Sequence, residues 1–349
     1  MDWSSHVVWW HCYPLGFVNA EDTAVHEVRH RLGQLTNWLD YLIGLGCNGM
    51  LLNPVFASVS HGYDTVDHLR IDPRLGDEAD FVAGIMIHWL DRGIDGWRLD
   101  AAYAPGAAAW RPILDRVKAA HPDCWLLGEV IHGDYAEFVE TSGVDSVTQY
   151  ELWHAIWDSL NDHNFFSLDH TLGRHRVFCE HFRPQIFVSN HDVTRISSKL
   201  DDQRHVQHAA VLVTLLPGIP SIYAGDEQRF TGVKFDAPGG DGAVRPPFPD
   251  TPDGLLPFGA DTFDLYQRLL AIRRRHSWLV DGVVTTRDLT NESVVVVVTG
   301  PEQTIELALN VSENPVPLPH GEVLAASAGT AAEVEPHGWA VSLQQRGPA

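Results

Sequence analysis

The chain has 349 residues, of which 44% are hydrophobic, enough for one large domain and a small companion domain. Its formal net charge of −22 excludes the basic face that nucleic-acid phosphates require. No run of about 18 apolar residues predicts a membrane span, and the first residues do not resemble a signal peptide. Four widely separated cysteines suit reduced thiols, so we expect a cytoplasmic protein.

Short apolar runs alternate with helical patterns along the first 276 residues. Seven runs predict buried strands, at residues 7–13, 49–56, 94–102, 124–130, 146–152, 185–192 and 219–227. Helical spacing of apolar side chains lies between them, at residues 32–46, 81–93, 107–121, 205–218 and 262–276. This alternation predicts a parallel sheet, and the length favours a (β/α) barrel, which has eight strands where seven are recognisable here.

The pattern changes near residue 277. Beyond it, β-rich segments are separated by turn residues, which predicts a small antiparallel β domain. We therefore expect a barrel domain over residues 1–276 and a β domain over residues 277–349. Residues 231–258 are rich in glycine, proline and aspartate and are predicted to form a loop over the barrel mouth.

Several predicted strands end in an acidic residue, and catalytic groups of parallel barrels lie at those ends. Arg98 and Asp100 end one strand, and they share a face because strand side chains alternate. Glu129 ends the next strand and Asp192 ends a later one. A carboxylate kept ionised by a guanidinium suits a nucleophile, and a second carboxyl about 5 Å away completes a retaining glycosidase. A single acid at a strand end is more often a loop cap or an ion-pair partner, so spacing alone leaves both interpretations open.

Six motifs then resemble conserved segments of the α-amylase family, glycoside hydrolase family 13, near its neopullulanase, cyclomaltodextrinase and α-glucosidase-like members. They occur in the family's order, as GMLLNPVF (49–56), HGYDTVDH (61–68), GWRLDAA (96–102), LLGEV (126–130), FVSNHD (187–192) and GIPSIYAGDE (218–227). The resemblance covers nearly the whole chain. It implies that Asp100 is the nucleophile, that Glu129 is the general acid and base, and that Asp192 binds sugar hydroxyls.

The resemblance also implies substrate-binding roles. Arg98 would orient and ionise Asp100, His191 would hydrogen-bond the sugar, and Tyr63 would stack on it. Asp64 would line the same subsite, paired with Arg245 of the long loop. The acids that end the last predicted strand, Asp226 and Glu227, are expected to be structural.

The chain departs from the family after its second strand. The family's third strand, which ends in a motif of type DxVxNH, and the long insertion after it have no counterpart here, and one helix over residues 77–93 is predicted instead. Such a barrel must keep a gap, close with seven strands, or recruit a strand. Exposed edges would favour a homo-oligomer. The lost motif supplies a calcium ligand in relatives, so we expect no metal site and no cofactor.

These observations predict a retaining hydrolase of α-glucosidic bonds in malto-oligosaccharides or related α-glucosides. A transglycosylase is a close alternative, and a catalytically weak or inactive α-glucan-binding protein is a more distant one. The deletion could also be deliberate or reflect a damaged gene. The segment GLGCNG (44–49) matches a dinucleotide-binding pattern, but it follows a predicted helix and opens a strand, the reverse of the required order.

Overall fold

The computed structural model describes residues 3–20, 29, 31–75, 82–328 and 333–345. Its strands up to residue 223 are β1 (Trp9–Cys12), β2 (Gly49–Leu52), β3 (Phe56–Ser58), β4 (Thr65–Ile71), β5 (Gly96–Leu99), β6 (Trp125–Gly128), β7 (Ser146–Val147), β8 (Gln185–Ile186) and β9 (Ile219–Tyr223). Strands β3 and β4 form an antiparallel hairpin. The other seven strands lie within the seven predicted runs.

The seven predicted strands are all parallel to their neighbours. One group has the order β2-β1-β9-β8 and the other the order β5-β6-β7. A parallel bridge between Thr148 and Gln185 joins β7 to β8, so the combined order is β2-β1-β9-β8-β7-β6-β5. In this order, neighbouring strands are consecutive parallel strands of the chain, and the last of them, β9, lies beside the first, β1, as in a (β/α) barrel.

The two ends of this order are β2 and β5, the strands that flank the predicted deletion. Within the described ranges, no strand pairing joins β2 to β5. Their residues are partly exposed, except for Leu99, whereas every residue of β9 is buried. The ring of Phe56 stacks on that of Trp97, with centroids 6.1 Å apart and planes 13° apart. This aromatic contact links the β2 side to the β5 side, between which the described residues form no backbone pairing.

The helices of the described residues are α1 (Pro14–Phe17), α2 (Leu39–Leu45), α3 (Val82–Leu90), α4 (Ala107–Ala120), α5 (Tyr135–Ser142), α6 (Tyr150–Asn161), α7 (Phe165–Cys179), α8 (Ile196–Lys199), α9 (Val206–Leu215) and α10 (Ala260–Arg275). The replacement helix predicted for residues 77–93 is seen from Val82 to Leu90, and its first residues lie outside the described ranges. Residues 31–38 form 3-10 turns before α2 rather than one continuous α-helix.

One predicted strand is wrong in its second half. The run 146–152 was expected to be a strand throughout, but β7 ends at Val147 and α6 begins at Tyr150. Leu152, Ile156 and Leu160 are buried at intervals of four residues, which is helical spacing and continues beyond the predicted run. The predicted run stops at residue 152, so it contains only the first of these three apolar residues and cannot show the helical period.

The C-terminal strands are β10 (Val283–Arg287), β11 (Ser293–Thr299), β12 (Gln303–Asn310), β13 (Val316–Pro317), β14 (Glu322–Ala326), β15 (Glu333–Val334) and β16 (Trp339–Gln345). Five of them form an antiparallel sheet in the order β10-β11-β12-β16-β14, which confirms the predicted β class. Strand β11 is flanked on both sides, as its five consecutive valines suggest. The described residues contain no helix with the length and apolar character needed to cross a membrane.

Helices α9 and α10 are joined by hydrogen bonds from an arginine at the end of α10. Helix α10 ends in Arg273, Arg274 and Arg275, where a helix dipole favours cations. The guanidinium of Arg273 is buried and donates to the carbonyls of Thr214 (3.0 Å) and Leu216 (2.9 Å) at the end of α9. One side chain therefore satisfies terminal carbonyls of a second helix, and this fixes α10 against α9.

The acids after β9 have structural partners, as expected. Asp226 pairs with the buried guanidinium of Arg195 at 3.0 Å. Glu227 is fully buried and accepts hydrogen bonds from the hydroxyl of Tyr41 (2.6 Å) and the amide of Gly225 (2.8 Å). Burial raises the pKa of the Glu227 carboxyl to about 7 despite these bonds.

This raised pKa predicts a specific loss of stability with pH. The ordinary value is 4.5, so the folded state holds the Glu227 proton more tightly, and its contribution is full below about pH 4.5 and is lost as pH rises through about 7. Urea unfolding at pH 5 and pH 8 should show the wild type losing up to about 3 kcal/mol more than Glu227→Gln across this interval. The exposed control Glu322→Gln should follow the wild type. Equal pH dependence in Glu227→Gln and wild type would contradict the assignment.

Candidate active site

The end of β5 presents an arginine and an aspartate on one face, as strand alternation predicts. Leu99 points the other way and is buried against helices α3 and α4. The indole nitrogen of Trp97 donates to the carbonyl of Met86 in α3 at 3.2 Å. These contacts fix the back of β5, so Arg98 and Asp100 face the other side.

Arg98 binds two carboxyl groups at once. Its Nη1 lies 2.7 Å from Oδ1 of Asp100, and its Nη2 lies 2.8 Å from Oε1 of Glu129. Oxygens bound to neighbouring nitrogens of one guanidinium lie within roughly 8 Å of each other. The Arg98 side chain is only 4% exposed and that of Asp100 is 37% exposed. The arrangement therefore places a nearly buried cation beneath two carboxyl groups, one of which is open to solvent.

Glu129 has further partners that fix its orientation. Its Oε2 accepts from the amide of Ala101 (3.0 Å), and its Oε1 accepts from the hydroxyl of Tyr150 (3.2 Å). The side chain of Asn190 donates to the same Tyr150 hydroxyl at 2.8 Å and accepts from the amide of Asp192 at 2.8 Å. A continuous set of hydrogen bonds thus connects the Glu129 carboxyl to the backbone amide of Asp192.

Asp192 lies between two cationic or potentially cationic groups. Its Oδ2 is 2.7 Å from Nε2 of His191, and its Oδ1 is 2.9 Å from Nη2 of Arg245. Burial alone would raise the pKa of the Asp192 carboxyl, but His191, Arg245 and Arg98 together hold it well below its ordinary value. Asp192 is therefore ionised throughout the neutral range.

The pKa of the Asp100 carboxyl differs from what its arginine neighbour alone would give. Burial raises the pKa of its carboxyl, and the neighbouring charges of Glu129 and Asp192 add to this, while Arg98 lowers it. The result is a pKa of about 6, above the ordinary 3.8. The arginine alone predicts a carboxylate that is kept ionised. The structure shows that a cation shared between two carboxyls does not offset desolvation fully, although Asp100 is still mostly ionised at pH 7.

Tyr63 joins the site from the hairpin between β3 and β4. Its ring stacks on that of His191, with centroids 5.3 Å apart and planes 5° apart, and its hydroxyl contacts the His191 ring. Asn53 donates to the Tyr63 hydroxyl at 2.5 Å and also contacts His11 at the end of β1. The ring predicted to stack on a sugar therefore packs on the histidine predicted to bind one.

The expected pairing of Asp64 with Arg245 is wrong. The Asp64 carboxylate accepts from the amide (2.9 Å) and hydroxyl (2.7 Å) of Ser60, which lies four residues earlier in the same loop. Arg245 instead pairs with Asp192 and Asp241, each at 2.9 Å, and its Nε donates to the His191 carbonyl. These contacts within one turn, from a residue close in sequence, take the place of the expected ion pair with Arg245. From the loop at residues 231–258, Arg245 thus reaches the third carboxyl, that of Asp192.

Some residues of this site were not assigned roles from the sequence. The sequence predicts a strand at Tyr150 and assigns no role to His11, Asn53 or Asn190. His11 lies within β1, Asn53 directly follows β2 and Asn190 lies four residues after β8, and a polar side chain near the end of a barrel strand is the available signal. Tyr150 carried no such signal because it begins α6. The carboxyl cluster itself is not a group that converges on a metal: within the described ranges that geometry is found elsewhere, at Asp202, His205 and His337.

The sequence profile described as "Alpha amylase, catalytic domain" matches residues 12–83 and 81–246, more than half of the chain. The two matched segments meet at residues 81–83, where the family's third strand and its insertion are expected. All three carboxyls and Arg98 lie in the second segment, and Tyr63 lies in the first.

Curated relatives include a Bacillus cyclomaltodextrinase, which is 29% identical over 245 residues, 66% of this chain and 41% of its own. The maltogenic α-amylase of Bacillus acidopullulyticus is 22% identical over 430 residues, 91% of this chain and 71% of its own. That alignment is longer than the 349-residue chain, so it spans residues that this chain lacks. Against the Bacillus cyclomaltodextrinase and α-amylase 3 of Dictyoglomus thermophilum, the chain spans only 41% and 37% of the relative's length.

Solved structures share the fold. The ligand-free cyclic α-maltosyl-(1→6)-maltose hydrolase of Arthrobacter globiformis has a TM-score of 0.79 and 18% identity, covering 99% of both chains. The α-amylase from H. orenii has a TM-score of 0.78 and 18% identity, covering 98% of this chain and all of its own. The profile match, supported by this shared fold of a barrel with a C-terminal β domain, shows that the chain belongs to the α-amylase family of glycoside hydrolases.

Proposed function

We propose that this protein hydrolyses α-glucosidic bonds in malto-oligosaccharides or related α-glucosides with retention of configuration. The observation that carries the proposal is the binding of Asp100 and Glu129 by the single guanidinium of Arg98. A shared cation holds the bound oxygens within roughly 8 Å of each other, a range that includes the separation of about 5 Å that retaining glycosidases need. The proposal includes a barrel that lacks one strand-helix unit and a domain boundary near residue 277.

Each carboxyl has one role in the proposed reaction. The Asp100 carboxylate attacks the anomeric carbon while the Glu129 carboxyl protonates the departing glycosidic oxygen, so a glycosyl ester replaces the glycosidic bond. Glu129, now a carboxylate, takes a proton from water, which displaces Asp100 from the anomeric carbon. Asp192 stays ionised and binds sugar hydroxyls, because His191 and Arg245 hold its charge.

The substrate class rests on the relatives. Those named above are a cyclomaltodextrinase and a maltogenic α-amylase, and another solved structure is described as a complex with maltose. The exposure of Asp100 in this chain supports an open cleft that would admit an oligosaccharide. Without the family's third strand, however, the sugar loses a histidine donor, and losing one such transition-state contact costs about 10² in rate. We therefore expect slow turnover compared with full-length relatives.

Replacing the nucleophile is the first test. Asp100→Asn keeps the shape of the side chain but removes the attacking charge, so kcat on a chromogenic maltoside should fall by about 10³-fold or more. Asp95→Asn makes the same change on an exposed residue just before β5 and should retain wild-type activity. Equal rates in Asp100→Asn and wild type would reject Asp100 as the nucleophile. Tight maltotriose binding without turnover by the wild type would favour a binding protein instead.

The pH profile tests the state of the same carboxyl. Asp100 must be ionised to attack and its pKa is about 6, so kcat/KM should fall about tenfold per pH unit below that value. Initial rates on the chromogenic maltoside across the acid range measure this fall. A profile that stays flat from about pH 7 to about pH 5 would contradict a pKa of this size.

A homo-oligomer through the open barrel edges stays a prediction. Strands β2 and β5 are partly exposed and have one recorded neighbour each within the described residues, and such edges template pairing with another chain. Light scattering on a sizing column should show association that increases with concentration. A monomer at all concentrations would contradict it.

A further inference from the structure

A second cluster of polar side chains lies where α9 begins and where the chain turns into β16. Asp202 and His205 precede α9, and His337 stands two residues before β16. None of the three belongs to the carboxyl site. We propose that Asp202, His205 and His337 bind a Zn²⁺ ion that ties the barrel helix to the C-terminal sheet.

The ligand atoms already converge. Oδ2 of Asp202, Nε2 of His205 and Nδ1 of His337 all lie within 4.8 Å of one another. The two ring nitrogens are 3.0 Å apart, and Nδ1 of His337 is 3.9 Å from Oδ2 of Asp202. Ligands about 2.0–2.1 Å from a tetrahedral zinc lie slightly over 3 Å from each other, so small side-chain rotations complete the set.

The outer contacts prepare His337 as a ligand. Its Nε2 lies 2.9 Å from Oε1 of Glu313, which as a carboxylate can only accept, so Nε2 carries the proton and Nδ1 presents a lone pair. A carboxylate behind a ligating histidine is the usual arrangement at zinc sites. His337 also has a φ of 54°, left-handed backbone that costs free energy in a residue other than glycine. A backbone held in this conformation aims the imidazole at His205.

The burial of the two histidines distinguishes them from surface residues. His205 is 1% exposed and His337 is 8% exposed. His205 Nδ1 is buried and has no hydrogen-bond partner among the described residues, so the only polar contact of its ring is with His337. Two buried imidazoles that face each other can share only one proton between those nitrogens. A metal ion would bind both nitrogens through their lone pairs and would replace that single N–H···N hydrogen bond.

Arg204 competes for the third ligand. It binds Asp202 through Nε and Nη2, the latter at 2.6 Å from Oδ2. The Arg204 side chain is 57% exposed and has freedom to move into solvent, whereas the two histidines do not. Zinc would then take over the neutralisation of Asp202. Two imidazoles and a carboxylate favour Zn²⁺ over Ca²⁺ or Mg²⁺, which prefer oxygen ligands, and water would fill the fourth position.

Titration of the metal-stripped full chain with Zn²⁺ tests the site. We expect one tight equivalent per chain against a chromophoric chelator, a rise in Tm with Zn²⁺ but not with Mg²⁺, and the visible absorption of a tetrahedral site with Co²⁺. His337→Gly, which also relaxes the left-handed backbone, should weaken Zn²⁺ binding by about 100-fold or more and abolish the Tm shift.

Asp202→Asn provides a second variant on a partly exposed side chain, and it should also weaken binding. His320→Gln removes an exposed histidine of the same C-terminal region and should leave the stoichiometry, affinity and Tm shift unchanged. Zinc binding that is absent in the wild type would overturn the proposal. Binding that is equal in wild type, His337→Gly and Asp202→Asn would overturn it as well, since the ion would then sit on other histidines.

Discussion

The proposed chemistry depends on one buried guanidinium that is shared between two carboxyls. Arg98 is almost inaccessible to solvent, so its charge is poorly screened and is matched only by acids that approach it. Asp100 and Glu129 both do so. Their separation is therefore set by the width of one side chain rather than by the precise path of the barrel strands. This makes the pair tolerant of distortion elsewhere in the scaffold.

The order of the strands explains why the carboxyl site survives the departure from the family pattern. Asp100 follows β5, Glu129 follows β6 and Asp192 follows β8, and these strands lie on one uninterrupted arc, β8-β7-β6-β5. Within the part of the chain that the structure describes, the edges without a strand partner are at the far side of β5 and at β2. The missing pairing therefore costs stability at β5, which has a strand partner on one side only among the described residues. It also costs stability at groups such as Tyr63, which come from the β2 end of the strand order. Stacking of Phe56 on Trp97 partly offsets this cost by packing the two sides together.

Much of this could be predicted because barrel strands are short, buried and end in polar residues. All seven parallel strands lie within predicted runs, and Arg98 faces the same side as Asp100, as alternation requires. Side-chain contacts were harder to predict from the sequence than strands. Tyr150 reaches Glu129 from a helix whose period began at that residue, and Ser60 bonds Asp64 through a local turn. The raised pKa of Asp100 depends on burial and on two other acids, which a strand-end motif does not report.

The most direct test of the account is to trap the covalent intermediate. A fluorinated α-glucosyl fluoride that forms the glycosyl ester quickly and loses it slowly should label the protein once, and peptide mass spectrometry should place the sugar on the peptide that contains Asp100. The account predicts that label on Asp100 and no label in Asp100→Asn. A sugar attached to another carboxylate, or turnover of the same fluoride with no covalent adduct, would contradict the convergence of Asp100 and Glu129 on one glycosidic bond.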